Sequence, residues 1–245
     1  MRGRRLVKRF RYALDRKAVV EPEYYLGEGL ESFHSQSDLV EGTFEEAYEA
    51  TVSAVGADYG IRQRMRLLSW AGQQAIKAHP KGAFVELGTG RGFSMLFLLN
   101  HLRRLNLHPE VYLFDTFHPD LSIAAKRLGA RSAGRHFYAD SLNAVTARFD
   151  EFPLCQIVPG LLPKSLELVD LPAVGFAHID LNDGTAEIQS LTALWPKLAD
   201  GALLVLDDFA NRGRQSQREI VLRQFQEWDI PVLSTPQGQG LAIKR

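Results

Sequence analysis

Phe84-Val85-Glu86-Leu87-Gly88-Thr89-Gly90-Arg91-Gly92-Phe93-Ser94 is the stretch that decides the fold. An apolar run carries an acid near its end, meets glycine at three alternate positions, and then turns apolar again. This reads as a buried strand, a tight turn and the start of a helix. Such a turn lets the backbone approach a ligand held over the helix N-terminus. The dinucleotide fingerprint needs its third glycine three residues after the second. Here that position is Phe93, and the third glycine comes early, at Gly92. An NAD-dependent oxidoreductase is therefore disfavoured. An acid at Glu86 suits a ligand that brings a cationic amino group to the strand tip.

Downstream of this stretch, strands and helices alternate, which argues for a parallel sheet. The pattern predicts strands over Ala83–Leu87, Val111–Phe114, Gln156–Val158, Val174–Ile179 and Ala202–Leu206. It predicts helices over Phe93–Leu105, 121–128, Ser141–Phe149, Ala186–Leu198 and Gln215–Trp228. Pro231–Ser234 and Leu241–Ile243 flank a glycine-rich turn and read as a closing hairpin. Upstream, residues 21–60 are acidic and aromatic, with helix expected over Phe44–Ala54 and then Ile61–Ala78. The expected organisation is a basic tail (1–20), a helical lid or dimerisation region (21–80) and a ligand-binding α/β domain (81–245).

Ligands of an open α/β sheet bind beyond the carboxyl ends of its strands. This chain places acids at four of those ends: Glu86, Asp115, Asp180 and the pair Asp207-Asp208. One acid there could cap the next helix; acids at four ends of one sheet are harder to explain so. Asp115 follows Gly88 by 27 residues, where a carboxylate can accept both ribose hydroxyls of an adenosine. Asp180, Asp207 and Asp208, converging without basic neighbours, would raise one another's pKa. A hard divalent cation resolves that conflict, and all-oxygen ligation points to Mg²⁺. Such a cation would hold two adjacent acceptor oxygens and acidify the one to be modified, with a carboxylate beside it to take the proton. His178 shares a strand face with Asp180. It reads as a satisfied core residue, with proton transfer as the alternative.

Formal net charge is zero, so the chain as a whole has no nucleic-acid-like bias. Residues 1–17 nonetheless hold eight Lys/Arg against one acid, which leaves 21 basic against 28 acidic residues in the remainder. Leu6, Val7, Phe10, Ala13 and Leu14 recur among those arginines at roughly helical spacing. A basic amphipathic helix could meet an anionic membrane surface or a partner; a solvated tail, or a helix packed on the domain, is the alternative. The single cysteine, Cys155, excludes an intramolecular disulfide and a cysteine zinc site and reads as a buried inert thiol. No apolar run reaches the ~18 residues of a membrane span, and no signal-peptide core is present, so a cytoplasmic location is expected.

The motifs together resemble the macrocin O-methyltransferase family, metal-dependent members of the class I S-adenosylmethionine methyltransferases that act mainly on sugar hydroxyls. The resemblance runs from about Ser32 to Lys244. It is carried by FVELGTGRG (84–92), LFDTF (113–117), VPGLLPKSL (158–166), HIDLN (178–182) followed by Leu194-Trp195-Pro196-Lys197, VLDDF (205–209) and PQGQGLAIK (236–244). It implies a doubly wound, mostly parallel seven-stranded sheet ending in an antiparallel hairpin. It implies S-adenosyl-L-methionine and Mg²⁺ as cofactors. Glu86, Gly88, Thr89, Gly90, Gly92, Ser94, Asp115, Thr116, Phe117, Gly160 and Leu161 would then lie along the S-adenosylmethionine, with Asp115 on the ribose and Gly160 and Leu161 near the adenine. Asp180, Asp207 and Asp208 become metal ligands, and Asp180 the catalytic base. Many relatives carry Asp-Gly-Asp where this chain has Asp180-Leu181-Asn182, so a fourth acid is missing. His34 is a possible acceptor contact, although an exposed or structural role fits it better.

The reaction expected is methyl transfer to a hydroxyl of a sugar or glycoside. The competing readings are a catechol-type phenolic O-methyltransferase, a non-catalytic S-adenosylmethionine-binding module, and a nucleic-acid methyltransferase using the basic tail. The acid trio weighs against the second and the acidic remainder against the third. A homodimer is plausible from the N-terminal extension.

Overall fold

A computed structural model describes residues 6–8, 18–117, 140–211 and 213–245. The expected helix over 121–128 and most of the basic N-terminal helix lie outside the described residues.

The chain begins with a meander of three short antiparallel strands, β1 (Val19–Glu21), β2 (Tyr24–Gly27) and β3 (Leu30–Ser32). The sequence reading names residues 21–80 a helical region and places no strand in it, whereas the structure begins that region with this meander. Paired β-branched and aromatic residues favour extended backbone. Gly27 opposite Leu30 leaves a two-residue loop, Glu28-Gly29, with φ of 52° and 76°. Two successive left-handed residues make a tight hairpin turn of the twist that strands prefer. Helices follow: α1 (Gly42–Val55) and α2 (Arg62–Ala78), close to the spans expected.

The main sheet contains β4 (Ala83–Leu87), β5 (Val111–Asp115), β6 (Cys155–Pro159), β7 (Val174–Ile179), β8 (Leu198–Leu206), β9 (Leu233–Ser234) and β10 (Gly240–Ile243). Its order is β6-β5-β4-β7-β8-β10-β9. The first five strands run parallel, and β10 pairs antiparallel with both β8 and β9. This is the class I methyltransferase fold, with the closing hairpin at one edge. The connecting helices are α3 (Phe93–Arg104), α4 (Leu142–Phe149), α5 (Gly184–Leu194) and α6 (Gln215–Glu227). The helix expected to run to Leu198 stops at Leu194, where a 3-10 turn over Trp195–Lys197 takes over. Pro196 lacks the N–H that would continue the helix. Leu198 is instead the first residue of β8, opposite Val174.

Strand alternation divides the core into two layers. Phe84, Phe176, Leu203 and Val205 face the cluster built with α1, α2 and α3. Val85, Leu87, Ala177, Ile179, Leu204 and Leu206 face the cluster that includes Leu191, Val221 and Phe225 of α5 and α6. Both faces are covered, as parallel sheets require.

The strand tips end level with one another. Leu87 pairs with Ile179, and Ile179 with Leu206. One residue further on, the amide of Gly88 donates to Phe114 O, that of Asp180 to Leu87 O, and that of Asp207 to Ile179 O, at 2.8–2.9 Å. Gly88 sits at φ 93°, and a Cβ there would lie 2.2 Å from the carbonyl oxygen of Asp180. Any side chain at position 88 must therefore push β4 and β7 apart where the acids emerge. The variant Gly88→Ala is expected to lose about 2–4 kcal/mol. Calorimetry should then show a melting temperature lowered by roughly 5–15 °C. An unchanged melting curve would contradict this packing.

Candidate functional site

Glu86 and His178 are register partners on neighbouring strands, and His178 in turn opposes Val205 of β8. Asp207 comes two residues after Val205 and continues that face. Period-two alternation thus lines up Glu86, His178 and Asp207 under α2. His178 Nδ1 lies 2.9 Å from Glu86 Oε1, and its Nε2 lies 3.6 Å from Asp207 Oδ1, too long for a hydrogen bond. All three residues are buried. Burial disfavours charge on His178, but a carboxylate facing each ring nitrogen outweighs it and lifts its pKa to about 10. Burial pushes Glu86 upward, opposed by His178. The second oxygen of Glu86, Oε2, has no hydrogen-bond partner among the described residues, and neither does the buried Thr89 Oγ1.

Asp180, Asp207 and Asp208 come together as expected, but the expectation that they lack basic neighbours is wrong. Arg64, in the first turn of α2, sets its Nη1 2.5 Å from Asp207 Oδ2 and 3.4 Å from Asp208 Oδ1. Arg214 Nη2 lies 3.3 Å from Asp208 Oδ2. Gln239 Nε2, in the closing hairpin, donates to Asp207 Oδ1 at 2.9 Å, and Asn211 Nδ2 donates to Asp208 Oδ1 at 3.0 Å. Burial would raise Asp207, yet Arg64, His178 and Gln239 hold it well below the usual carboxylate range. Asp180 goes the other way, pushed well above that range by burial and by the charges of Asp207 and Asp208. Asn182 Nδ2 donates to Asp180 Oδ1 at 2.8 Å.

These acids are not helix caps. Asp183 caps α5, accepting from the amide of Ala186 at 3.0 Å. The residue before α6 is Arg214, which gives no side-chain cap. The donor set is all oxygen and suits a hard cation in type. As the side chains stand, however, no group of three acids, histidines or cysteines among the described residues is spaced to hold a metal. Both oxygens of Asp207 and both of Asp208 already face nitrogen donors.

Asp115 braces the glycine turn: its Oδ2 accepts from Gly90 N at 2.8 Å and its Oδ1 from Phe117 N at 3.1 Å. Gly88, Thr89, Gly90 and Gly92 form the turn into α3, with Ser94 half-buried in its first turn. Thr116 is half-buried and bonded to Asp115. Phe117 puts its ring into the α1–α3 cluster, so only its backbone faces the turn. Gly160 donates its amide to Asp115 O at 2.8 Å, and Leu161 is exposed beyond β6. His34 is exposed.

Sequence reasoning missed Arg64, Arg214, Gln239 and Glu187. Glu187 is buried on α5, accepts from Gln217 Nε2 at 2.8 Å, and is pushed up to about 8 by burial and by Asp208. One signal was available for Glu187, since it falls in the first turn of a helix that starts just after HIDLN. Arg64 lies in the run Arg62-Gln63-Arg64-Met65-Arg66, where nothing distinguishes one arginine from the others. An open groove of about 690 Å³ lies elsewhere, lined by Asp38, Phe44, Gln63, Trp70, His101 and Gln237 among others; none of the strand-tip acids borders it. No described helix is long and apolar enough to cross a membrane.

Comparison with known proteins agrees with this fold. A family model described as a methyltransferase domain matches residues 85–209. No curated protein matches significantly in sequence. Among solved structures, the O-methyltransferase NovP superposes with a TM-score of 0.62 at 17% identity, covering 85% of this chain and 97% of its own. The S-adenosylhomocysteine-bound Podospora anserina methyltransferase PaMTH1 gives 0.56 at 12%, covering 84% and 88%. CalS11, described as a TDP-rhamnose 3′-O-methyltransferase of calicheamicin biosynthesis, gives 0.52 at 16%, covering 83% and 95%.

Cys155 opens β6 and is half-buried. Burial, and then the charge of Glu86, push its thiol up to about 12. Since the thiolate is the reactive form, the native protein at pH 8 should react with iodoacetamide about 10³-fold more slowly than free cysteine. Mass spectrometry of timed aliquots would check this; labelling at the free-cysteine rate would refute the inert assignment.

Proposed function

The chain belongs to the methyltransferase-domain family whose model it matches, and from that premise we propose that it is an S-adenosyl-L-methionine-dependent O-methyltransferase that uses Mg²⁺ and acts on a hydroxyl of a sugar or glycoside. The observation that carries the reading is the buried strand-tip row, with Glu86 Oε2 unpartnered at one end and the acid trio at the other. A buried carboxylate oxygen without a donor is costly. A ligand ammonium would supply that donor, which fits the methionine end of the cofactor.

S-adenosylmethionine supplies an electrophilic methyl group, and a divalent cation supplies Lewis acidity next to the acceptor oxygens. The chain's own residues do the rest. Glu86 orients the amino acid end of the cofactor. Gly88, Gly90 and Gly92 keep side chains out of its path, with Thr89 and Ser94 beside it. Asp115, already fastening Gly90, presents its remaining acceptor capacity to the ribose, while Thr116, Phe117, Gly160 and Leu161 flank the adenine side. Asp180, Asp207 and Asp208 would hold the cation. Asp180 is also the proton acceptor. Among the described residues no cationic side chain makes an ion pair with it, so it is the least committed of the three. Holding donor and acceptor in line supplies most of the acceleration of such a transfer. The sugar acceptor rests on the resemblance of the VLDDF and VPGLLPKSL segments to the macrocin O-methyltransferase family.

Calorimetric titration of S-adenosylhomocysteine, with and without Mg²⁺, tests the cofactor half. Binding is expected in both conditions, and no binding would remove the reading altogether. For the chemical half, Asp207→Asn should lower turnover of an accepted sugar by about 10³-fold or more and keep cofactor affinity within about threefold. Full turnover in the presence of a chelator would leave a methyltransferase but remove the metal. Turnover of phenolic diols in preference to sugars would move the acceptor to the catechol class.

A further inference from the structure

The acid trio carries a cation of its own. Arg64 Nη1 sits 2.5 Å from Asp207 and 3.4 Å from Asp208, and also donates to Asp207 O at 3.3 Å. We propose that Arg64 is the resident countercation of this site. Its guanidinium holds Asp207 and Asp208 until a divalent cation displaces it, and it thereby sets the affinity of the site for that cation. The inference rests on the metal reading proposed above.

Three features of the structure support it. The oxygens that Arg64 occupies are among those a cation would need, and the other oxygens of the pair, Asp207 Oδ1 and Asp208 Oδ2, already face Gln239 and Arg214. A guanidinium and a Mg²⁺ ion cannot both sit on the same carboxylate oxygens, since like charges at that separation repel strongly. The Arg64 side chain retains 14% of its accessible surface, so it has a way out. Its backbone, by contrast, is fixed. Glu28, from the β2–β3 turn, accepts the amides of Gln63 and Arg64 at 2.8 and 3.0 Å, and Tyr25 OH is bonded to the same carboxylate. Displacement is therefore a swing of the side chain about an anchored helix N-terminus.

Arg64 lies outside residues 85–209 that match the domain model. The N-terminal extension thus sets a property of the catalytic domain, its appetite for a cation. An arginine that only lent its charge to the site, without standing where the cation goes, would leave Arg64→Lys, which keeps that charge, binding Mg²⁺ no tighter than wild type.

The experiment is a Mg²⁺ titration of the full chain, followed by calorimetry and by the Mg²⁺ dependence of the melting temperature, for wild type, Arg64→Gln and Arg64→Lys. Ligand that binds only the native state raises the melting temperature, so the thermal readout survives even if Arg64→Gln is marginally folded without the cation. The expected result is Mg²⁺ binding to Arg64→Gln about tenfold or more tighter than to wild type, with Arg64→Lys between them. The Arg64→Gln variant should melt lower than wild type without Mg²⁺ and recover at lower Mg²⁺ than wild type needs. Equal or weaker Mg²⁺ binding by Arg64→Gln, with wild type binding normally, overturns the inference and leaves the metal reading standing. No Mg²⁺ binding by wild type or by either variant overturns both.

Discussion

Burying Glu86, His178 and Asp207 in one row across three parallel strands is the constraint on which the rest of the structure depends. Moving an ion from water into a protein interior costs several kcal/mol even after relaxation, and the cost is recovered only with good partners. His178 meets it by standing between two carboxylates, with its charge sustained at a pKa of about 10. Removing His178 would take from the buried Glu86 its 2.9 Å hydrogen bond. The register of β4, β7 and β8 is thus under electrostatic as well as hydrophobic control. A one-residue slip of β7 would turn His178 into the opposite layer, among Val85, Leu87, Leu204 and Leu206 of the neighbouring strands;.

The row also explains why the N-terminal extension is packed where it is. The face that carries Glu86, His178 and Asp207 is the face that α2 covers, and an apolar helix alone would leave Asp207 without a guanidinium on its Oδ2. Arg64 supplies the missing charge from the first turn of α2. The helix N-terminus is held in turn by Glu28, whose carboxylate accepts two amides that have no partner within the helix;. An acid at that end also interacts favourably with the helix dipole. The tight β2–β3 turn, through Glu28, therefore reaches the strand tips of the main sheet through a single helix start.

The alternation of strands and helices was legible in the sequence because buried parallel strands are short apolar runs with punctuation. Ala83–Leu87 and Val174–Ile179 fall where the pattern puts them. The strand-tip acids were legible for the same reason, each being the first charge after such a run. The N-terminal meander was not. Its strands have three or four residues, too few to establish a period, and its turn is Glu-Gly rather than the more telling Asn-Gly;. Arg64 and Gln239 were invisible for a different reason. They reach Asp207 from positions 143 and 32 residues away in the chain, and neither position has a local signature. Sequence shows which charges a sheet exposes at its ends, but only tertiary structure shows what neutralises them.

That difference matters for reading acid clusters in general. Three aspartates with no visible partner argue for a metal by elimination, and the elimination fails once an arginine from a remote helix is found among them. Here the two readings are compatible, because the same physical demand admits two answers. The trio needs positive charge, and a guanidinium meets the need without closing the site to water: Arg64 and both acids keep about a tenth of their side-chain surface. Asp180 shows that the demand is only partly met. Arg64 and Arg214 contact Asp207 and Asp208, whereas Asp180 is left with an amide donor and a carboxyl well above its ordinary range. A compact dication placed among all three carboxylates would relieve Asp180 in a way that a planar guanidinium docked on two of them does not.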